Sequence, residues 1–334
     1  MGSYLVTGVC GFIGSKVAEF LLREGHRVTG LDNMNSYYDP TLKRYRLVLL
    51  RNFVDFRFFE TDVRDPGALR NIFAENRSFD AIFHLAAMAG VRYSVRCPEE
   101  YVSVNVDGTL NILKLCQEFG VRKLILASTS SLYAGQPLPF SEELPVNMPI
   151  SPYAASKKAA EVLAYTYHYL YNIDVIIPRY FTVYGPAGRP DMSVFRFIHA
   201  VLNDDPLVVY GDGTQRRDFT YIDDIAEGTT RSLSLSGYEI VNLGSSSPHS
   251  LREVISLIEE FTGKKAKVVY KPAEKADIPA TWASIEKAKR LLNWEPKVLL
   301  EEGLARTVMW FRENWEWVQG IDVSREGGVT WRRS

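Results

Sequence analysis

The sequence predicts an α/β protein: a doubly wound parallel (Rossmann) sheet with a smaller carboxyl-terminal α/β substrate-binding lobe. Three observations predict it. An apolar strand runs directly into glycines spaced G-x-x-G-x-x-G, the following strand ends in an acidic residue, and strands alternate with helices with no linker or repeat between them. SYLVT (3–7) reads as the first strand, GVCGFIG as the turn, and KVAEFLLREG as a helix of apolar period ending at Gly25. Gly8, Gly11 and Gly14 allow a tight turn and a close approach to a pyrophosphate, while the helix amino terminus offers unpaired N–H groups to the anion. A lone glycine pattern is weak, but this one opens a β-α-β unit whose second strand is HRVTGLD. Asp32 at its end can accept hydrogen bonds from both adenosine ribose hydroxyls and repels a 2′-phosphate, so NAD is expected rather than NADP. Phe12, Ile13 and Asn33 flank these groups and join the expected cofactor set.

FRFFETD, DAIFHLAA, KLILAST and IDVIIPRY continue as short buried strands. PEEYVSVNVDGTLNILKLCQEFG and SPYAASKKAAEVLAYTYHYLY carry helical periodicity between them. Asp62, Val63, Leu85, Ala86, Ala87, Ala127 and Tyr180 fall at or just past strand ends, where open α/β sheets bind ligands, and complete the cofactor set. After about Pro178 the pattern loosens into loops rich in Gly, Pro and Arg. Residues 1–178 are therefore expected to form the dinucleotide-binding domain, with a returning segment near 222–245, and residues 179–334 to be predominantly the substrate lobe.

Composition narrows the function classes. A chain of 334 residues that is 46% hydrophobic has ample material for a large core. A net charge of −1 with acids and bases interspersed gives no reason to expect nucleic acid or a membrane surface as partner. Cys10, Cys97 and Cys116 are odd in number and lack metal-ligand spacing, so they read as reduced and no metal is expected. The first strand starts close to Met1 and no apolar run is long enough to span a bilayer, so a cytoplasmic location is expected.

Chemistry enters with Tyr153 and Lys157 in SPYAASKKAAE. At i and i+4 they project from one face of a helix. A phenol with a pKa near about 10 is a poor base at neutral pH, and a neighbouring ammonium together with a cationic nicotinamide ring would favour its phenolate. Alone, Tyr-x-x-x-Lys is as easily a chance pair. Its weight comes from the glycine turn in the same chain.

GVCGFIG, Asp32, HLAAMAGVR, NVDGT, STSSLY, Tyr153 with Lys157, PRYFTVYGP and GDGTQRRDF together resemble the extended short-chain dehydrogenase/reductases that act on nucleotide sugars, over essentially the whole chain. Within them DNMNSYYDPTLK, HLAAMAGVRYS and FTVYGPAGRPDMS look most like the UDP-glucuronate 4-epimerases. The resemblance implies that Tyr153 takes the sugar 4-hydroxyl proton while C4 gives a hydride to NAD, and that the 4-keto sugar then turns over to receive it on the other face. It implies Thr129 as a bridge between sugar O4 and the phenol, with Lys157 on the nicotinamide ribose. Related 4,6-dehydratases carry an Asp-Glu pair where this chain has Ser130 and Ser131, and related decarboxylases typically carry Glu at the position of Ser131. An ST-rich strand end can also simply cap the next turn.

The substrate set follows from the same resemblance. Arg217 and Gln215 in GDGTQRRDF are expected on the phosphates, with Arg216 alternating to solvent; a surface pair of Arg217 with Asp218 is the plainer reading. Asp277 resembles the family acid near the uridine ribose, although Glu274, Ala276 and Ser284 depart from the pattern there. Oxidation at C4 makes a uronate a β-keto acid, which loses carbon dioxide unless its carboxylate is held. Thr182 and Arg189 suit that task, against the plainer reading in which Arg189 pairs with Asp191. Arg92 and Ser94 are expected to line the sugar or pyrophosphate. His84 reads as a satisfied strand histidine. The helices after Pro98 and Ser151 resemble those through which relatives form homodimers. Alternatives kept open are a UDP-glucose/galactose 4-epimerase, a UDP-glucuronate decarboxylase and a non-catalytic dinucleotide sensor.

Overall fold

The computed structural model describes residues 1–76, 79–272 and 278–323. Short apolar runs form the strands of a parallel sheet: β1 (Ser3–Thr7), β2 (Arg27–Asp32), β3 (Phe56–Glu60), β4 (Ala81–His84), β5 (Lys123–Leu126), β6 (Asp174–Tyr180) and β7 (Tyr238–Leu243). Their order is β7-β6-β5-β4-β1-β2-β3, and the short strand Ser128–Thr129 pairs with Arg179 and Tyr180 of β6 as the eighth member. β1 lies between β2 and β4, so the sheet is wound outward in both directions from it. A crevice outside the carboxyl ends of β1 and β4 follows from that winding.

Alternation along each strand divides the core into two layers. Leu5, Ile82, Leu124 and Leu126 pack with Ile112, Leu113, Cys116, Ala160 and Ala164. Val6, Phe83 and Ile125 pack with Val17, Ala18, Leu21 and Ala226. The chain comes back from the second lobe to complete the sheet, with β7 in parallel register on β6 (Ile240 opposite Ile177). The second lobe contains a four-stranded sheet, in which Thr182–Tyr184 pairs with Arg216–Tyr221, and a further pair, Pro206–Tyr210 with Lys267–Lys271. Helices Ser193–Leu202, Leu251–Thr262 and Leu300–Glu313 pack there around Ile198, Ile258, Leu304 and Phe311. Among the described residues no helix is long and apolar enough to cross a membrane.

One expected element differs. The run PEEYVSVNVDGTLNILKLCQEFG is a helix Pro98–Val102, a five-residue π segment Ser103–Asp107 and a helix Gly108–Phe119. Asn105 explains the interruption. Its buried amide donates to Met88 O (3.0 Å) and to Ser156 Oγ (2.9 Å) and accepts from Met88 N (2.8 Å), tying the segment after β4 to the helix Pro152–Tyr171. Apolar periodicity cannot report a widened turn that a tertiary hydrogen bond holds open.

A buried ionic network fixes the other side of that helix. Arg179 on β6 donates from Nε and Nη2 to both carboxylate oxygens of Glu161 (2.9 and 2.7 Å) and from Nη1 to the Tyr133 hydroxyl (2.7 Å). Ser128 Oγ adds a 2.6 Å bond to Glu161, and Tyr133 donates to Asn242 on β7 (2.8 Å). Both charges of the pair are about 1% exposed, and Lys158 Nζ adds a second cation 3.6 Å from Glu161 Oε2.

Candidate active site

The crevice encloses about 370 Å³, a volume in the range of small-molecule sites. Its floor is the glycine turn. Gly8 has φ +68°, and a Cβ there would lie 2.7 Å from the backbone N of Ala86, so the turn presses on the end of β4 as only glycine permits. The helix Phe12–Arg23 starts at Gly11 with no side-chain cap and no acidic residue in its first turn, leaving its N–H groups to an anion. Asp32, 6% exposed, is oriented by Cys10 N (3.2 Å), Met34 N (2.9 Å) and the Lys43 ammonium (3.2 Å). A turn that excludes side chains, an uncapped helix and a held carboxylate fit a dinucleotide.

Above this floor Ser151 caps the helix Pro152–Tyr171 by accepting from Ala154 N (3.2 Å), with Pro152 at the first helical position. That cap sets Tyr153 and Lys157, one turn apart, against the same cleft as Thr129, Ser130, Ser131, Thr182 and Arg189. Thr129 serves two purposes. Its hydroxyl accepts from Ser131 N (3.1 Å) and donates to Ser131 Oγ (3.1 Å), capping the following turn, and it also draws the Tyr153 phenol toward ionisation.

The electrostatics depart from expectation at one point. Burial pushes the Tyr153 phenol up, and it is Thr129 and the Arg189 guanidinium that pull it back, with no contribution from Lys157. Burial also pushes Lys157 down to about 8, against the pull of Glu161 one turn below. Burial therefore outweighs both pulls and favours the protonated phenol. His84 is buried between Thr7 Oγ1 (2.7 Å) and Thr109 Oγ1 (3.1 Å), and burial lowers it to about 3, so it stays neutral as a strand histidine.

A family model for the NAD dependent epimerase/dehydratase family matches residues 4–244. The chain belongs to this family. Among its relatives, a UDP-glucuronate 4-epimerase of Thermodesulfobacterium geofontis (strain OPF15) is 57% identical over 324 residues, 97% of this chain and 100% of the relative. The UDP-glucuronic acid 4-epimerase of Bacillus cereus, solved with UDP-glucuronic acid and NAD, superposes with a TM-score of 0.88 at 36% identity, covering 93% of this chain and 99% of that one. A UDP-glucose 4-epimerase of Thermotoga maritima, solved with UDP-glucose, gives 0.85 at 33% identity over 94% and 99%. Epimerases for charged and for neutral sugars thus share this backbone, and the choice between them rests on side chains.

Of the residues expected from this epimerase's sequence, Gly8, Gly11, Phe12, Ile13, Gly14, Asp32, Asn33, Val63, Leu85, Ala86, Ala87, Ala127 and Tyr180 line the cleft with the catalytic and sugar-facing groups named above. Asp62 does not; its carboxylate is taken by Arg64 (2.8 Å) and by Asn33 (2.8 Å), which hold it down to about 2. Ser94 is fully buried outside the cleft lining, and its hydroxyl donates to Val91 O of its own helix (2.6 Å). Arg92 stacks on the Tyr210 ring at 4.1 Å and Gln215 donates to Tyr210 O (2.6 Å), both away from the cleft lining. Arg217 is half-buried and donates to Arg216 O (2.8 Å), whereas Arg216 is exposed. Asp218 is wholly buried and receives the N–H groups of Ser245, Ser246 and Ala283. Asp277, with Glu274 and Ala276, lies outside the described residues.

Among the lining residues that sequence reasoning missed are four polar ones, Asn35, Tyr37, Tyr38 and Lys43, which come from the stretch DNMNSYYDPTLK. A lysine and two tyrosines in so polar a run were the available signal. It also missed Asn105, an amide inside an apolar helical pattern.

Proposed function

We propose that this epimerase interconverts UDP-glucuronate and UDP-galacturonate with NAD. The observation that carries the reading is that a cation and a hydroxyl, Arg189 and Thr182, line the same cleft as Tyr153, Lys157 and Thr129. When bound, NAD takes the C4 hydrogen as hydride and returns it. Tyr153 holds and moves the proton of the sugar 4-hydroxyl, and Thr129 orients that hydroxyl toward the phenol. Lys157 supplies the charge that binds the cofactor ribose. Ser130 and Ser131 provide hydroxyls without an acid or base, which leaves dehydration without its proton donor. Arg189 and Thr182 hold the C6 carboxylate so that the C–C bond to it does not align with the C4 carbonyl, which keeps the β-keto acid from losing carbon dioxide.

In this reading Arg217, Gln215, Arg92 and Asp277 grip the uridine diphosphate. Arg217 lies on the strand whose Phe219 pairs with Thr182, which favours a phosphate site next to the sugar site. Residues 1–178 with the segment 222–245 act as the NAD domain and 179–334 as the UDP-sugar lobe, an arrangement supported by the return of β7 to the sheet. A homodimer is supported by exposed Val162, Tyr165 and Tyr169 on one face of the Pro152–Tyr171 helix with exposed Val95 and Val102 nearby in sequence to its neighbours. The three free cysteines suit the cytoplasm.

The test is to incubate the purified protein, without added NAD, with UDP-glucuronate, UDP-glucose and UDP-xylose separately, and to resolve the products. UDP-galacturonate as sole product supports the reading. A UDP-pentose formed from UDP-glucuronate, or no product, refutes it.

A further inference from the structure

Arg189 reaches the cleft with most of its guanidinium already engaged. Nε donates to Asp191 Oδ1 at 3.0 Å and Nη2 to Oδ2 at 2.5 Å, while among the described residues Nη1 makes no such bond. Asp191 is 6% exposed, so its charge acts on Arg189 with little screening by water. The segment that carries the pair is itself pinned. Arg46, 2% exposed, donates to Ala187 O (3.1 and 2.6 Å) and Gly188 O (3.0 Å), and on its other edge to Cys10 O (3.0 Å) and the Tyr38 hydroxyl (2.8 Å). The Tyr37 ring lies 5.9 Å from the guanidinium. Arg189 is thus fixed in place and presents one free edge, with its charge largely answered.

Resting on the epimerase reading above, we propose that Asp191 is a positioning residue that keeps the grip of Arg189 on the C6 carboxylate deliberately weak. Epimerisation at C4 requires the 4-keto ring to show its other face to the cofactor. The carboxylate must therefore leave its partner and be taken again within one turnover. An unanswered guanidinium would hold a carboxylate through two parallel charge-assisted bonds, and that hold would stabilise the bound sugar in one pose. With Nε and Nη2 spent on Asp191, the substrate meets Nη1 and the Thr182 hydroxyl, a contact strong enough to orient the carboxylate and weak enough to release it.

The experiment compares wild type, Asp191→Asn and Asp191→Glu for kcat and KM with UDP-glucuronate, and for affinity toward UDP-glucose, which has no carboxylate. Asp191→Asn is expected to lower both KM and kcat for UDP-glucuronate by about tenfold, the worth of one charge-assisted contact, while its affinity for UDP-glucose stays at the wild-type value. Asp191→Glu keeps the charge and is expected to retain the wild-type balance of KM and kcat. Unchanged or weakened UDP-glucuronate affinity in Asp191→Asn, or a parallel change toward UDP-glucose, overturns the proposal and leaves Asp191 a structural partner only. Wild-type protein that forms no UDP-galacturonate is a separate result, which overturns the functional reading and this proposal with it.

Discussion

Replacing Lys157 with Met is expected to stabilise the protein while abolishing its activity. Lys157 is 5% exposed, and burial lowers its ammonium from 10.5 to about 8. That difference corresponds to about 3 kcal/mol of folding free energy lost at neutral pH, because the charged form is kept in a site that disfavours it. Met is close in length and carries no charge, and Glu161 loses little by the change because Arg179 already binds both of its oxygens. The sign against pH follows from linkage. Below about 8 both folded and unfolded chains carry the proton and the penalty is complete; between about 8 and 10.5 the unfolded chain holds a proton that the folded chain releases, so wild-type stability rises with pH. The variant has no such rise. After removal of bound dinucleotide, thermal unfolding at pH 7 should place Lys157→Met about 4 °C above wild type for a chain of this size, and the gap should shrink toward pH 10. A variant less stable than wild type at pH 7, or a gap that does not change with pH, refutes the reasoning.

Two further outcomes are expected. Arg189→Leu removes the cation from the sugar end of the cleft and leaves the buried Asp191 carboxylate without its partner; UDP-glucuronate affinity should fall at least tenfold and a UDP-pentose should appear among the products, so unchanged affinity with no decarboxylated product would sink this role for Arg189. Arg179→Met leaves the buried Glu161 with only Ser128 and the Lys158 ammonium as partners and should cost up to about 3 kcal/mol in urea unfolding, whereas the double variant with Glu161→Gln should recover much of that loss; a double variant worse than the single one contradicts it.

The fold was legible because its signals are local. Each strand of the sheet is a short apolar run, the helices between them repeat at about 3.6 residues, and Gly8, Gly11 and Gly14 mark a turn whose backbone excludes side chains. Those same features locate strand ends, which is why many of the residues that line the cleft could be named in advance. Tyr153 and Lys157 were legible for the same reason, since a spacing of four on a capped helix leaves little freedom in where they point.

The sequence by itself therefore determined the doubly wound sheet, the dinucleotide turn and the Tyr-Lys face. Only the tertiary structure decided which polar groups share the cleft. Ser94 carries the right chemistry but turns inward to Val91, while Lys43, to which the sequence assigned no role, reaches Asp32. Asn105 opens a π turn in an otherwise regular helical pattern to hold Met88 and Ser156. The charge state of Tyr153 belongs to the fold as well, because burial outweighs the attraction that its sequence neighbours suggest. The physical reason is range. Backbone periodicity and glycine sterics act over a few residues, whereas desolvation and hydrogen-bond pairing depend on groups that meet only when distant segments pack.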